Sequence, residues 1–253
     1  MIKYLCCTVS VALVALSCGD ATGPSESIFF SGGFESGTML TSQTPAGDWD
    51  GLVEVNGTMY MSQQPHQGEW SVESSVSDSC ATPAWGAYLR KEFTLTGNTV
   101  YARIWFMLQS GHNLLEAEGR SFGFMWLGNN LMDEICSFRV GNYGGEPILA
   151  ISYVRDGSGG PETILQDTGF PIEENNWYYL EMSVALDQNA GSFSAWMNAE
   201  GGSPISVHIL DIDNVTGVEL ENFCVGIVDN GGYAQGSMFF DDYALAEERI
   251  GQN

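Results

Sequence analysis

From residue 28 onward, short apolar runs alternate with clusters of turn-forming residues, and no long segment repeats apolar positions at helical spacing. The runs end at Gly, Asn, Asp, Ser or Pro, which favour turns. This pattern predicts many short antiparallel strands. The predicted strands span residues 70–76, 87–95, 100–108, 121–127, 134–140, 148–154, 177–186, 192–197, 205–210, 223–228 and 238–245.

The strand predicted at residues 177–186 shows how the sheet packs. Its even-numbered positions from Tyr178 to Leu186 are apolar, whereas the alternate positions include Glu181 and Ser183. Because successive side chains of a strand point to opposite faces, one face is expected to be buried and the other wetter.

The strand at residues 100–108 has a different pattern. One face is apolar, and the opposite face carries Tyr101, Arg103 and Trp105. Aromatic rings beside a guanidinium on an outer face suggest a central strand beneath a groove. No Pro/Ser-rich linker interrupts residues 28–251, so the pattern predicts a single all-β domain, a two-sheet antiparallel jelly-roll sandwich.

The N-terminal segment has the pattern of an export signal. Lys3 precedes an apolar stretch that ends at Leu16, which is too short for a membrane span of about 20 residues. The run Val-Ala-Leu-Ser-Cys ending at Cys18 resembles the lipobox of bacterial lipoproteins, although Ala15 stands where such boxes usually carry Leu. The resemblance implies lipidation of Cys18; ordinary cleavage without lipid is the alternative.

The expected organisation is therefore a signal peptide at 1–17, a flexible tether at 18–27 and the jelly roll at 28–251. The protein is expected in the cell envelope, lipid-anchored to either the inner or the outer membrane. It is expected to meet the membrane only through this anchor.

The charge balance restricts the partners. The chain has 8 Lys and Arg against 32 Asp and Glu, a formal net charge of −24. Such a chain repels phosphate backbones, so nucleic acid is not an expected partner. Broad binding to an anionic polysaccharide is disfavoured for the same reason. Neutral glycans and divalent cations remain possible ligands, so a polysaccharide or glycoconjugate is the candidate partner.

Three cysteines remain after the signal peptide and the lipidated position, namely Cys80, Cys136 and Cys224. No CxxC pair occurs, which disfavours a zinc cluster. In an oxidising compartment they allow one disulfide, with three possible pairings.

The two ends of the domain carry a resemblance. The run Phe-Glu-Ser-Gly begins at Phe34, and Phe-Asp-Asp-Tyr begins at Phe240. This pairing resembles concanavalin A-like and laminin-G-like jelly rolls, including carbohydrate-binding modules, in which an FExG strand opens the domain beside a closing FDD strand. The likeness implies a structural calcium ion held by Glu35 and by Asp241 or Asp242. The pleat is expected to send the two aspartates to opposite faces.

Catalysis is disfavoured by the motifs, although it is not excluded. The acid spacing of laminarinase-type hydrolases does not occur. The histidine and arginine strands of polysaccharide lyases are also missing, and the run that begins at Arg90 resembles the arginine strand only weakly. The leading hypothesis is a non-catalytic module that binds an extracellular glycan. The alternatives are a polysaccharide lyase or glycoside hydrolase on the same scaffold, and a structural or adhesive envelope protein.

Sugars stack on exposed aromatic rings, so the binding hypothesis depends on tryptophan and tyrosine. The candidate ligand-binding residues are Tyr101, Arg103, Trp105 and Trp126, with Trp85 and Tyr143 in loop-like sequence. For each ring taken alone, burial in the core is the more common outcome.

Overall fold

A computed structural model describes residues 28–40, 48–77, 86–129, 133–157, 160–187, 190–212, 214, 219–231 and 233–252. The expected signal peptide, tether and lipidated Cys18 lie outside these residues. The described chain forms fifteen strands and one short 3-10 helix, Leu114–Glu116. The strands are β1 Ile28–Gly32, β2 Gly51–Glu54, β3 Gly57–Ser62, β4 Ser71–Val76, β5 Ala87–Glu92, β6 Thr99–Leu108, β7 Ser121–Gly128, β8 Glu134–Asn142, β9 Pro147–Gly157, β10 Gly160–Pro171, β11 Trp177–Ala185, β12 Gly191–Ala199, β13 Ile205–Ile212, β14 Asn222–Asp229 and β15 Gly236–Ala246.

The strands form two antiparallel sheets that pack face to face, as the sequence predicted. The first sheet has the order β13-β12-β11-β6-β15-β4-β3, and β1 also pairs with β15. The second has the order β10-β9-β8-β7-β14-β5-β2. β6 lies at the centre of the first sheet, as its amphipathic pattern indicated. In the described residues no helix has the length and apolar character of a membrane span.

The core lies between the sheets and is rich in aromatic rings. Phe106 of β6 and Phe240 of β15 each pack near Phe124 of β7, with ring centroids 4.6 and 6.1 Å from it. The inward residues of β11 are the apolar positions that the alternation predicted, including Leu180 and Met182. Burial of this continuous apolar layer drives the two sheets together.

All eleven predicted strands are present, and four further strands were not predicted: β1, β2, β3 and β10. β10 is an edge strand of the second sheet, and most of its described side chains are exposed or half-buried. It therefore lacks the apolar alternation from which strands were predicted.

A bulge in β7 decides the direction of Trp126, a predicted ligand-binding residue. The register of β7 shifts between Gly123 and Met125, so Phe124 and Met125 both face the core. Trp126 consequently points to the outer face, whereas regular alternation along the strand would place it on the same face as Phe122 and Phe124. A bulge adds one residue to a strand and reverses the alternation beyond it.

Both described cysteines are buried, and neither forms a disulfide. Cys136 faces the core beside Met182, whereas Cys224 lies on the outer face of the second sheet with Tyr88 and Trp126. None of the three pairings that the sequence left open is therefore formed. Cys80 is outside the described residues.

Candidate functional site

Three predicted ligand-binding residues lie together on β6, on the outer face of the first sheet. Tyr101, Arg103 and Trp105 point away from the core, in register with β11 and β15. Trp105 is only 4% exposed, because the imidazole of His66 stacks on its ring with centroids 3.6 Å apart. A sugar could stack on this face of Trp105 only after His66 had moved.

A second segment covers the same face. The C-terminal strap (residues 249–252) folds back over β11 and β6, where the carboxylate of Glu181 accepts the backbone N–H of Ile250 at 2.7 Å and of Gly251 at 3.2 Å. Arg103 donates to the carbonyl of Gly251 at 3.2 Å, and the Arg249 guanidinium lies 4.4 Å over the Trp196 ring. The strap fills the outer face that the sequence predicted to be wetter.

The strap explains why a carboxylate is buried on that face. Glu181 is fully buried, and it also accepts a hydrogen bond from the Tyr179 hydroxyl. Burial, followed by the Glu181 charge, raises the pKa of Tyr179 far above its usual range, so the phenol stays protonated. Donors from the chain itself satisfy this charge.

The three predicted metal ligands converge beside the loop at residues 63–70. Glu35 accepts the backbone N–H groups of Glu69 and Trp70, and Asp241 accepts that of His66 at 2.9 Å. Asp242 lies 3.0 Å from Nδ1 of the same histidine. The expectation that the two aspartates face opposite ways is wrong. Asp242 has φ 47° at a bulge in β15, which brings both carboxylates to one side.

This cluster concentrates negative charge in a buried place. Burial, and then the Asp242 carboxylate, raise the pKa of Asp241 to about 8, against three backbone N–H groups that lower it. Gly33 lies at the centre, since a Cβ there would be 3.0 Å from Asp242 Oδ1 and 3.5 Å from Asp241 Oδ1. Carboxylate oxygens are the ligands that a hard cation such as calcium prefers, and the absence of a Cβ at Gly33 leaves space beside them. In the described residues, however, no group of three or more His, Cys, Asp or Glu side chains has the arrangement of a metal site.

The outer face of the second sheet, called here the second-sheet face, carries a different set of side chains. Arg90, Cys224, Trp126, Ser137 and Ser152 lie side by side in one row across five strands. Trp126, a predicted ligand-binding residue, lies in this row but is 1% exposed. In this row the Arg90 guanidinium and the Trp126 ring lie on either side of Cys224, and two serine hydroxyl groups follow.

Arg139 of β8 is the central polar residue of the second-sheet face. Its Nε and Nη2 donate to Ser121 Oγ at 3.2 and 3.0 Å, and Nη2 also donates to Asp229 Oδ2 at 2.7 Å. A Cβ at Gly123 would lie 3.1 Å from Nη1, and one at Gly231 would clash with Nη2. The two glycines let the guanidinium lie flat on the sheet. Its side chain keeps 12% of its surface exposed.

A tyrosine completes this cluster. Tyr143, on the loop after β8, is half-buried beside Arg139 and Ser121. Burial raises the pKa of Tyr143, while the Arg139 charge and hydrogen bonds to both neighbours oppose that rise. The hydroxyl is therefore protonated at neutral pH and can act as a proton donor. Tyr88, on the same face, has its pKa raised to about 12 by burial.

Sequence reasoning named Tyr143 but missed Arg139, Ser121 and Asp229. The alternation of apolar and polar residues along β8 places Arg139 on an outer face, and this pattern could have identified it as a candidate. Asp229 could not be assigned, because it is 90 residues from Arg139 along the chain.

Known proteins with a similar fold share little sequence with this chain. No protein-family model matches the sequence, and no curated protein has a detectably similar sequence. An endo-β-1,4-glucuronan lyase from the fungus Trichoderma reesei superposes with a TM-score of 0.62 at 12% identity, over 89% of this chain and 96% of that one. The marine alginate lyase from Aplysia kurodai gives 0.57 at 12%, over 87% and 98%. The alginate lyase from Klebsiella pneumoniae gives 0.54 at 10%, over 88% and 95%. At these identities the likeness shows a shared β-sandwich jelly-roll fold.

Proposed function

We propose that this protein cleaves a uronate-containing polysaccharide by β-elimination on the second-sheet face. The observation that carries the proposal is the Arg139 guanidinium, held on the sheet by Ser121 and Asp229 beside the protonated Tyr143. The fold likeness to three polysaccharide lyases supports this choice of reaction over others. A lyase is therefore preferred here, whereas the sequence alone favoured a non-catalytic binding module.

The reaction needs a cation, a base and an acid. A base removes the proton on the carbon next to the uronate carboxylate; that electron pair forms a C=C bond, and the glycosidic C–O bond breaks. Arg139 is placed to stabilise the negative charge that develops on the carboxylate. The Tyr143 hydroxyl gives its proton to the departing oxygen, and Asp229, whose side chain is 38% exposed, is the carboxylate beside Arg139 that can accept the carbon proton.

The experiment measures release of unsaturated uronate by ultraviolet absorbance, with polyglucuronate, alginate and deacylated gellan as substrates. Arg139→Gln and Tyr143→Phe are expected to lower the rate by about 10²–10⁴-fold, as for the loss of a general acid or a charge-stabilising group. Arg155→Gln is the matched control, because its ion pair with Glu162 is exposed. Activity unchanged in both test variants would refute the site.

A non-catalytic glycan-binding module is the second candidate. This module would use the same face, and the sequence favours it because no known catalytic motif occurs. Retention of the protein in a polysaccharide gel without product release would establish this function and exclude the lyase.

The cell-envelope location, the lipid anchor at Cys18 and the calcium ion at Glu35, Asp241 and Asp242 are parts of the same proposal. The N-terminal sequence, which has the pattern of an export signal, supports the first two. The Asp241 and Asp242 carboxylates beside Gly33, with Glu35 close by, support the calcium ion.

A further inference from the structure

Every basic side chain of the described residues already has an acidic or carbonyl partner. The six that lie within 4.0 Å of a carboxylate are Arg90, Lys91, Arg120, Arg139, Arg155 and Arg249. The seventh, Arg103, donates to a backbone carbonyl of the strap. Among the described residues, six of the seven Lys and Arg charges are therefore paired with a carboxylate.

The second-sheet face follows this rule. Arg139 is paired with Asp229 at 2.7 Å, and Arg90 with Glu92 at 3.0 Å. Further carboxylates lie close by. Glu134 accepts a hydrogen bond from Ser137, and the charge of Asp167 acts on Tyr143. The face thus carries two cations and at least four carboxylates.

These charges decide how a polyanion would approach. A ligand with a carboxylate on every sugar would place several negative charges against this face and against a chain of net charge −24. At low salt the repulsion extends over tens of ångströms, since the Debye length is about 30 Å at 0.01 M. One guanidinium can bind one carboxylate, but no net positive field attracts the neighbouring carboxylates of the polymer.

We infer that the polysaccharide bound on the second-sheet face carries isolated uronate residues separated by neutral sugars. Arg139 binds a single uronate, and the sugars on either side of it in the polymer are neutral. A homopolymeric uronan is a poor ligand. This inference rests on the proposed function, for which it names the substrate class.

The test compares two soluble polymers in binding measurements with the whole protein. Polyglucuronate carries a carboxylate on every sugar, whereas deacylated gellan carries one glucuronate in each repeat of otherwise neutral sugars. Dissociation constants are measured at about 0.01 M and about 0.1 M salt, between which the Debye length falls from about 30 Å to about 10 Å. Gellan is expected to bind more tightly at both, and polyglucuronate is expected to bind better as salt rises.

Matched variants separate local from overall charge. Glu92→Gln removes the partner of Arg90, and Glu116→Gln removes the partner of Arg120 on the short 3-10 helix; both carboxylates are well exposed. Each lowers the net negative charge by one. Glu92→Gln is expected to improve polyglucuronate binding about threefold at low salt, and Glu116→Gln to change it by less than half of that.

Tighter binding of polyglucuronate than of gellan, weakening as salt rises, would overturn the inference. So would failure of both polymers to bind. Binding of gellan without unsaturated product would remove the lyase activity and leave the inference intact, so the two proposals can fail separately.

Discussion

At the scale of single residues, His112 shows how a buried ionisable group is kept neutral. Its side chain is 1% exposed, Nε2 lies 3.1 Å from Glu174 Oε1, and Nδ1 accepts the backbone N–H of Leu114. Burial lowers the pKa of His112, against the opposing effect of Glu174. Desolvation therefore outweighs the ion pair.

This lowered pKa predicts acid sensitivity. The unfolded chain binds a proton on this histidine near a pKa of about 6.5, but the folded protein does so only at lower pH. The free energy of unfolding therefore falls as pH drops below about 6.5. His112→Gln should flatten this fall in urea titrations, whereas His208→Gln, at an exposed position, should not. Identical pH profiles for wild type and His112→Gln would contradict the assignment.

The residue patterns predicted to which face of a sheet a side chain points, but not which segments pack over that face. The alternation of β6 correctly set Tyr101, Arg103 and Trp105 on the outer face. Nothing in that strand indicated that His66 would stack on Trp105, because the contact comes from a distant loop.

At the scale of elements, bulges decide where functional side chains point. In β15 the bulge at Asp242 brings two adjacent carboxylates to one side, and in β7 it turns Trp126 outward. A regular pleat would have separated the aspartates. Bulges depend on pairing with neighbouring strands, so a local pattern cannot reveal them.

The β15 bulge makes the calcium proposal testable. If calcium binds there, it stabilises the folded state by about 2.7 kcal/mol at a hundred times its dissociation constant. Calcium should raise the Tm, EDTA should lower it, and Asp241→Asn should remove the difference. Asp167→Asn, an exposed change on β10, is the control. A Tm that is the same in calcium and in EDTA would exclude a resident ion.

At the scale of the whole molecule, the two outer faces carry different structural features. The His66 loop and the C-terminal strap cover the first sheet, whereas the second sheet carries the Arg139 cluster. The sequence predicted the sandwich and the meeting of its two ends, since β1 pairs with β15. The Phe-Glu-Ser-Gly run, expected to form the opening strand, instead lies in the turn that follows β1.

The cover over the first sheet could not be predicted. It depends on contacts between remote residues, such as His66 with Asp241, 175 positions apart, and Glu181 with Ile250, 69 positions apart. The aromatic site was therefore predicted on β6, the strand with the clearest amphipathic pattern, and the His66 loop and the C-terminal strap cover that strand.

The central claim is that the ligand binds on the second sheet, and hydrogen–deuterium exchange with a gellan oligosaccharide tests it most directly. The account predicts slower exchange in β7, β8 and the loop at Tyr143, with no change in β6, β11 or the strap. Protection confined to β6 and β11, with exchange at β8 unaffected, would contradict it and return the site to Trp105.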